Sequence, residues 1–251
     1  LAIGGTSQFV FYEETIMVCF SQKARVFLAL FAVVGAAGMS ARADDADVLK
    51  PGIDKPADAI VLFDGTDTSH WDPQWPVVDG AMVSEKQDIS SKEKFTDYKL
   101  HIEFNEPQLG PEFKSQDRGN SGVYQQGRYE IQVLDSYHND TYAKGGCAAV
   151  YGIADPLKNM AKPPGEWQTY DITFHAAKYK DGKKVENAHV TLYWNGELVQ
   201  DNTEIPHPTG GGKPETDTPG PIRLQYHHHS VKFRNIWIVA LDAKTEGVEK
   251  K

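Results

Sequence analysis

Little in this chain can cross-link it or carry it through a membrane. Two cysteines occur in 251 residues, Cys19 and Cys147, which excludes a disulfide-stapled scaffold. Cys147 lies in the apolar stretch Gly146-Cys147-Ala148-Ala149-Val150. No histidine stands near it to raise its reactivity, so it reads as a small buried hydrophobe rather than a nucleophile. The apolar run from Val26 to Ala37 falls short of the roughly 20 residues that a spanning helix needs, and no later run approaches it. Positive charge is scarce as well. Lys and Arg number 26 against 35 Asp and Glu, a net charge of −9, which argues against nucleic acid and anionic lipid as partners. Sustained helical periodicity is missing, since only Pro156 to Met160 looks weakly helical.

What is present begins with a targeting signal. Met17 is the first methionine; Lys23 and Arg25 follow, then the apolar run, then the small-x-small triplet Ala41-Arg42-Ala43. These are the parts of a secretory signal peptide. The expectation is export to the periplasm or the extracellular medium after cleavage near Ala43, with residues 1–43 comprising upstream sequence and signal, and with Cys19 lost. Residues 44–58, acidic and bearing Pro51-Gly52 and Lys55-Pro56, read as an exposed leader. Residues 59–241 form one domain, and 242–251 a charged tail.

Within that domain the hydrophobic period is two. Tyr98, Leu100, Ile102 and Phe104 alternate with Lys99, His101, Glu103 and Asn105, as in a strand with one buried and one wet face. Tyr170, Ile172 and Phe174 repeat the pattern, as do Val190, Leu192 and Trp194. Asn195-Gly196 between Trp194 and Leu198 is a hairpin signal, because both residues tolerate positive φ. The fold class is therefore all-β, with two packed antiparallel sheets or a barrel. Two long connections, Glu106 to Gly119 and Ile205 to Gly220, have the length of functional lids or of disordered segments.

The stretch from Gly119 to Asp135 carries the densest polar chemistry. It reads as a hairpin turning at Gln126-Gly127. With Ile131 and Val133 toward the core, Arg128, Glu130 and Gln132 share the other face. Such a row suits hydroxyl groups, and it also fits an ordinary solvated face. Asp135 has core parity: either a bulge at Leu134 turns it beside Glu130, or the strand ends and Asp135 opens a turn with Ser136.

Taken together, Leu62-Phe63-Asp64-Gly65 with Trp71, Gly119-Asn120-Ser121-Gly122-Val123-Tyr124, Arg128-Tyr129-Glu130-Ile131-Gln132-Val133-Leu134-Asp135, Tyr151-Gly152, Gly165-Glu166-Trp167-Gln168-Thr169-Tyr170, and Pro221-Ile222-Arg223-Leu224-Gln225 with His227 resemble the 3-keto-disaccharide hydrolase family. The likeness runs from about Ala59 to Leu241. It implies a concanavalin-A-like jelly roll that binds a carbohydrate and cleaves glycosides whose C3 hydroxyl has become a ketone, with an upstream sugar 3-dehydrogenase supplying the substrate. The family's polar positions fall on Asn120, Arg128, Glu130, Gln132, Asp135, Gln225 and His227. One position departs: Tyr226 stands where the family commonly has Asp.

On this reading Glu130, Asp135 and His227 are the candidate catalytic residues, and Asn120, Tyr124, Arg128, Gln132, Tyr151, Trp167 and Gln225 the candidate substrate contacts. Glu130-x-Gln132-x-x-Asp135 is also similar to the Glu-x-Asp-x-x-Glu strand of laminarinase-like β-glucanases, which keeps an ordinary retaining glycosidase as an alternative. A carbohydrate-binding module without catalysis is another. His227-His228-His229 allows a divalent metal if His227 and His229 share a strand face and a carboxylate joins them; if the strand ends there, His227 alone faces the cleft.

Overall fold

A computed structural model describes residues 48–241. The signal peptide and the charged tail read from the sequence lie outside the described residues, as do residues 44–47 of the leader. The strands follow in chain order as β1 (Ile60–Phe63), β2 (Trp71–Asp72), β3 (Val77–Val78), β4 (Ala81–Val83), β5 (Ile89–Ser91), β6 (Tyr98–Asn105), β7 (Ser121–Gln125) and β8 (Tyr129–Val133). They continue as β9 (Gln168–His175), β10 (Lys178–Lys180), β11 (Lys183–Glu186), β12 (Ala188–Trp194), β13 (Glu197–Ile205), β14 (Arg223–Leu224) and β15 (Lys232–Ala240).

Two antiparallel sheets make a jelly-roll β-sandwich. The larger runs β13-β12-β9-β6-β15-β4-β3, with β1 also on β15; the smaller runs β2-β5-β14-β7-β8. Period-two alternation sends one side chain in two to the shared core. Leu100, Ile102 and Phe104 of β6 and Ile172 and Phe174 of β9 meet Val123 and Ile131 of the smaller sheet there, all fully buried. The sheets are also joined by polar contacts: the Tyr170 hydroxyl donates to the Gln132 carbonyl at 2.6 Å and that of Tyr98 to Gln125 Oε1 at 2.9 Å. Each hydroxyl satisfies an acceptor that the core would otherwise strand. Cys147 is buried against the Tyr170 hydroxyl at 3.0 Å, and burial pushes its thiol well above the usual range. An inert hydrophobe is what its context indicated.

The hairpin turns lie where the sequence placed them. Gln126 and Gly127 have φ of 53° and 67°, and Asn195 and Gly196 have φ of 52° and 88°. Pro156 to Met160 forms bends and extended chain rather than a helical turn. The expected wet face of β9 is the larger departure, for Asp171 and Thr173 are buried on it. Asp171 takes an ion pair from His101 at 2.6 Å, and Thr173 Oγ1 accepts from the backbone N–H of Leu49 at 2.8 Å. Leu49, in the segment read as an exposed leader, is itself buried, while Gly52 to Lys55 beyond it are exposed. An apolar side chain that finds a sheet face gains about 1.5–3 kcal/mol by staying on it, so part of the leader belongs to the domain. Among the described residues no helix is long and apolar enough to cross a membrane.

Candidate active site

The site is built on the face of the smaller sheet turned away from the core. β7 and β8 pair without a register shift, Gly122 opposite Gln132 and Tyr124 opposite Glu130. Opposed residues of an antiparallel pair point to the same side, so Tyr124, Glu130 and Gln132 stand together while Val123, Ile131 and Val133 enter the core. Gly122 is required by this arrangement: a Cβ there would lie 2.3 Å from Glu130 Oε1, because the carboxyl folds back over the β7 backbone. Replacing Gly122 by alanine is expected to displace that carboxyl. Turnover should fall about 10–100-fold, the cost of a misplacement of order 1 Å, with Tm nearly unchanged; paired kinetic and thermal-melt measurements check both.

Chain leaving β14 adds the next wall. The Gln225 N–H donates to the Gly122 carbonyl at 3.0 Å, its Nε2 donates to the Tyr124 hydroxyl at 3.2 Å, and His227 follows two residues on. The Arg223 guanidinium lies 3.7 Å over the Tyr124 ring. From the other side come Gln116 and Asn120: Asn120 Nδ2 donates to the Gln116 carbonyl at 2.9 Å, and Gln132 Nε2 to Gln116 Oε1 at 3.0 Å. Tyr151, whose N–H donates to the Glu130 carbonyl at 3.1 Å, forms a third wall with Tyr142, hydroxyl against hydroxyl. These residues line a cleft of about 350 Å³, with Gly210 and Gly211 on one side of it, within the range of small-molecule sites.

The covering loop is fastened at several points. Glu130 N–H donates to Thr209 Oγ1 at 2.8 Å, Thr209 N–H to the Arg128 carbonyl at 3.1 Å, and Lys213 N–H to the Gly127 carbonyl at 3.0 Å. A Cβ at Gly212 would lie 2.0 Å from the Arg128 carbonyl oxygen, and one at Gly211 would lie 3.1 Å from the Tyr124 hydroxyl. The run Gly210-Gly211-Gly212 is what lets this loop pass so close to β8. That resolves the Ile205 to Gly220 connection in favour of an ordered cover.

Electrostatically, Glu130 dominates the cavity. It is 3 % exposed, and burial pushes its carboxyl up to about 8 against the lowering effects of the Tyr124 hydrogen bond and Arg223. At neutral pH it therefore holds its proton. Three other buried atoms on lining residues, Gln132 Oε1, Gln225 Oε1 and His227 Nδ1, have no hydrogen-bond partner in the protein. Each orphaned group of this kind costs about 1–3 kcal/mol unless something pairs with it.

Seven of the ten residues singled out in the sequence line this cavity: Asn120, Tyr124, Glu130, Gln132, Tyr151, Gln225 and His227. The other three lie elsewhere. Asp135 follows the end of β8 and no bulge carries it to Glu130; it pairs with Arg118 Nε at 2.7 Å and accepts the Tyr137 N–H at 3.1 Å, opening a turn. Arg128 sits in the hairpin turn, where strand parity does not hold. Its guanidinium binds Gln126 Oε1 at 2.8 Å and the Thr218 carbonyl at 3.0 Å, and so anchors the loop instead of the ligand. Trp167 lies under the Arg234 guanidinium at 3.9 Å, beside the larger sheet. Gln116, Tyr142, Gly210 and Gly211 line the cavity without having been singled out as contacts; only the glycine run carried a signal.

The triple histidine resolves into separate roles. β14 ends at Leu224, His228 is left-handed with φ of 66°, and His229 turns away to Asp117 Oδ1 at 3.2 Å. Among the described residues no three His, Cys, Asp or Glu side chains group as metal ligands. His227 with Glu130 falls short of the three protein ligands that a catalytic zinc site takes.

A solved structure of a candidate glycosyl hydrolase from Parabacteroides distasonis is 41% identical to this chain, with a TM-score of 0.69 over 74% of this chain and 85% of that one. A second candidate glycosyl hydrolase from the same organism is 24% identical, TM-score 0.53, over 73% and 99%. No curated protein matches the chain significantly. The family model described as the 3-keto-alpha-glucoside-1,2-lyase-like domain matches residues 58–239, from just before β1 to the last residue but one of β15. With the cavity framed by residues that this match spans, the chain belongs to the 3-keto-alpha-glucoside-1,2-lyase-like family.

Proposed function

We propose that this protein cleaves glycosides oxidised to a ketone at C3, by elimination and then hydration, with Glu130 as the acid and His227 as the base. The observation that carries the proposal is a buried carboxyl holding its proton at neutral pH in a cavity whose walls contain unpartnered acceptor groups. A polyhydroxylated ligand supplies the missing donors. A C3 ketone acidifies the hydrogen on C2. His227 takes that proton, the electron pair passes into the enolate, and the glycosidic bond at C1 then breaks as Glu130 protonates the departing oxygen. The carboxamides of Asn120, Gln132 and Gln225 serve the enolate oxygen and the remaining hydroxyls. Water then adds at C1, giving its proton to the Glu130 carboxylate, while His227, whose proton has by then exchanged with solvent, returns one to C2. The sum is hydrolysis, and both residues are restored.

An ordinary retaining glycosidase needs two carboxylates about 5–5.5 Å apart. Among the lining residues Glu130 is the only carboxylate, and the other member of the laminarinase-like pair, Asp135, is held by Arg118. A matched pair of substrates, a disaccharide and its 3-keto form, turned over in heavy water, tests the proposal. Cleavage of the oxidised form alone, with deuterium at C2 of the product, is expected. Cleavage of the plain disaccharide, or unlabelled product, overturns it, and binding without product assigns the face to a lectin-like role. The ketone itself must come from an oxidoreductase acting on sugar C3.

A further inference from the structure

The Tyr124 hydroxyl stands among more acceptors than it has protons. Its oxygen lies 2.9 Å from Glu130 Oε2 and 3.1 Å from the Gly210 carbonyl oxygen, and Gln225 Nε2 donates to it from 3.2 Å. A phenol has one proton to give. If Glu130 is ionised, its carboxylate and the Gly210 carbonyl compete for that proton, and the carboxylate wins because charge-assisted hydrogen bonds are about twice as strong as neutral ones. If Glu130 carries a proton on Oε2, every group is served: Glu130 donates to Tyr124, Gln225 donates to Tyr124, and Tyr124 donates to Gly210.

We infer that Tyr124 is a positioning residue that couples the proton of Glu130 to the Gly210–Gly212 cover: the loop is clasped while the acid is loaded and loosened once its proton has gone to the leaving group. The inference rests on the reading of Glu130 as the acid only for its meaning in turnover; the coupling itself needs no substrate. The timing is useful. The cavity stays closed through cleavage of the glycosidic bond and loosens when the leaving group must depart.

Other charges around Glu130 do not replace this link. Arg223 and Asp88 face it from the β14 and β5 side, and Tyr142 from the loop after β8; His227 and Tyr151 line the same cavity. Arg223 also ties the cover by donating from Nη2 to the Gly211 carbonyl at 2.8 Å, but a guanidinium keeps its charge throughout this range. That tie therefore does not respond to the carboxyl.

Hydrogen exchange of the segment 209–213, whose Gly212 and Lys213 N–H groups bond to the Thr209 and Gly127 carbonyls, reads the clasp in ligand-free protein. Rates corrected for the intrinsic effect of pH are compared well below and well above the Glu130 titration near 8. In the unmodified protein, protection should drop about fivefold on raising the pH, the worth of one ordinary hydrogen bond. Glu130→Gln, whose amide donates to Tyr124 at every pH, should stay protected throughout. Tyr124→Phe should exchange fast throughout. Protection that does not change with pH in the unmodified protein, or that drops in Glu130→Gln as it does there, overturns the coupling. The second comparison stands even if Tyr124→Phe fails to fold. Because no substrate is present, failure here is distinct from failure of the proposed reaction.

Discussion

Glu130→Gln is expected to lower turnover of a 3-keto disaccharide by about 10²–10⁴-fold, the range of general acid catalysis, while the protein stays folded. Glutamine matches the size of the carboxyl and keeps a polar group against Tyr124, but it has no proton to give to a leaving alkoxide. Asp135→Asn should do the reverse. Its partner Arg118 loses an ion pair on a nearly buried carboxylate, costing stability by about 1–3 kcal/mol when discounted for the part-exposure of Arg118, with turnover within a few-fold of the unmodified protein. The pH profile adds a second check. An acid with its titration near 8 must be protonated to act, so kcat/KM should decline as pH rises through that value, and the residual activity of Glu130→Gln should lack the decline. Steady-state kinetics and melting of both variants decide it; a dead Asp135→Asn beside an active Glu130→Gln would exchange their roles.

The fold was legible because period-two alternation is a strong signal wherever one face is dry. β6 and β12 bury the residues that the alternation selects, and the turns at Gln126-Gly127 and Asn195-Gly196 adopt the positive φ that their residue types permit. Reading faltered where residues distant in sequence covered the far face. Nothing local marks Asp171 and Thr173 of β9 for burial, since their partners, His101 and Leu49, come from β6 and from the leader.

The candidate site was legible in its floor and less so in its walls. Tyr124, Glu130 and Gln132 follow from strand parity alone. Parity misled at Arg128, which belongs to a turn, while Asp135, left open between a bulge and a turn, follows the last paired residue of β8 and opens the turn. Gln116 lies in a single 3-10 turn, Ser115–Asp117, and Tyr142 in irregular chain, and the path of both depends on long-range contacts such as that of Gln116 Nε2 with Thr141 Oγ1 at 2.7 Å. Trp167 was tied to the site by its motif, yet that motif has a structural purpose. Gln168 beside it accepts hydrogen bonds from Lys162 N–H, Trp194 Nε1 and Asn195 Nδ2 at 3.2, 3.0 and 3.1 Å.

Those three donors fix the Gln168 amide, so its Nε2 must donate toward Glu106, which it does at 2.8 Å to Oε2. Glu106 follows β6 with the parity of Phe104 and is fully buried; its Oε1 has no hydrogen-bond partner. Burial pushes this carboxyl up to about 8, from 4.5 in the unfolded chain. Between those values the folded protein holds a proton that the unfolded chain has released, so stability is full below about 4.5 and is lost as pH rises toward 8. Each unit is worth about 1.4 kcal/mol, which sets an upper bound of roughly 4–5 kcal/mol for Glu106 over the whole window, and Glu130 adds a parallel loss. Glu106→Gln removes the first of these terms. Near pH 5 the variant should melt at or slightly below the unmodified protein; near pH 9 it should melt above it by several degrees, at about 2–4 °C per kcal/mol for a domain of this size. Melting curves taken from about pH 5 to 9 should therefore cross. If the two curves instead run parallel, Glu106 does not titrate between folded and unfolded states, and the pH dependence of the fold must be carried by other groups, among them Glu130 and His101, whose imidazole, against the lowering effect of burial, is raised to about 9 by its carboxylate partners.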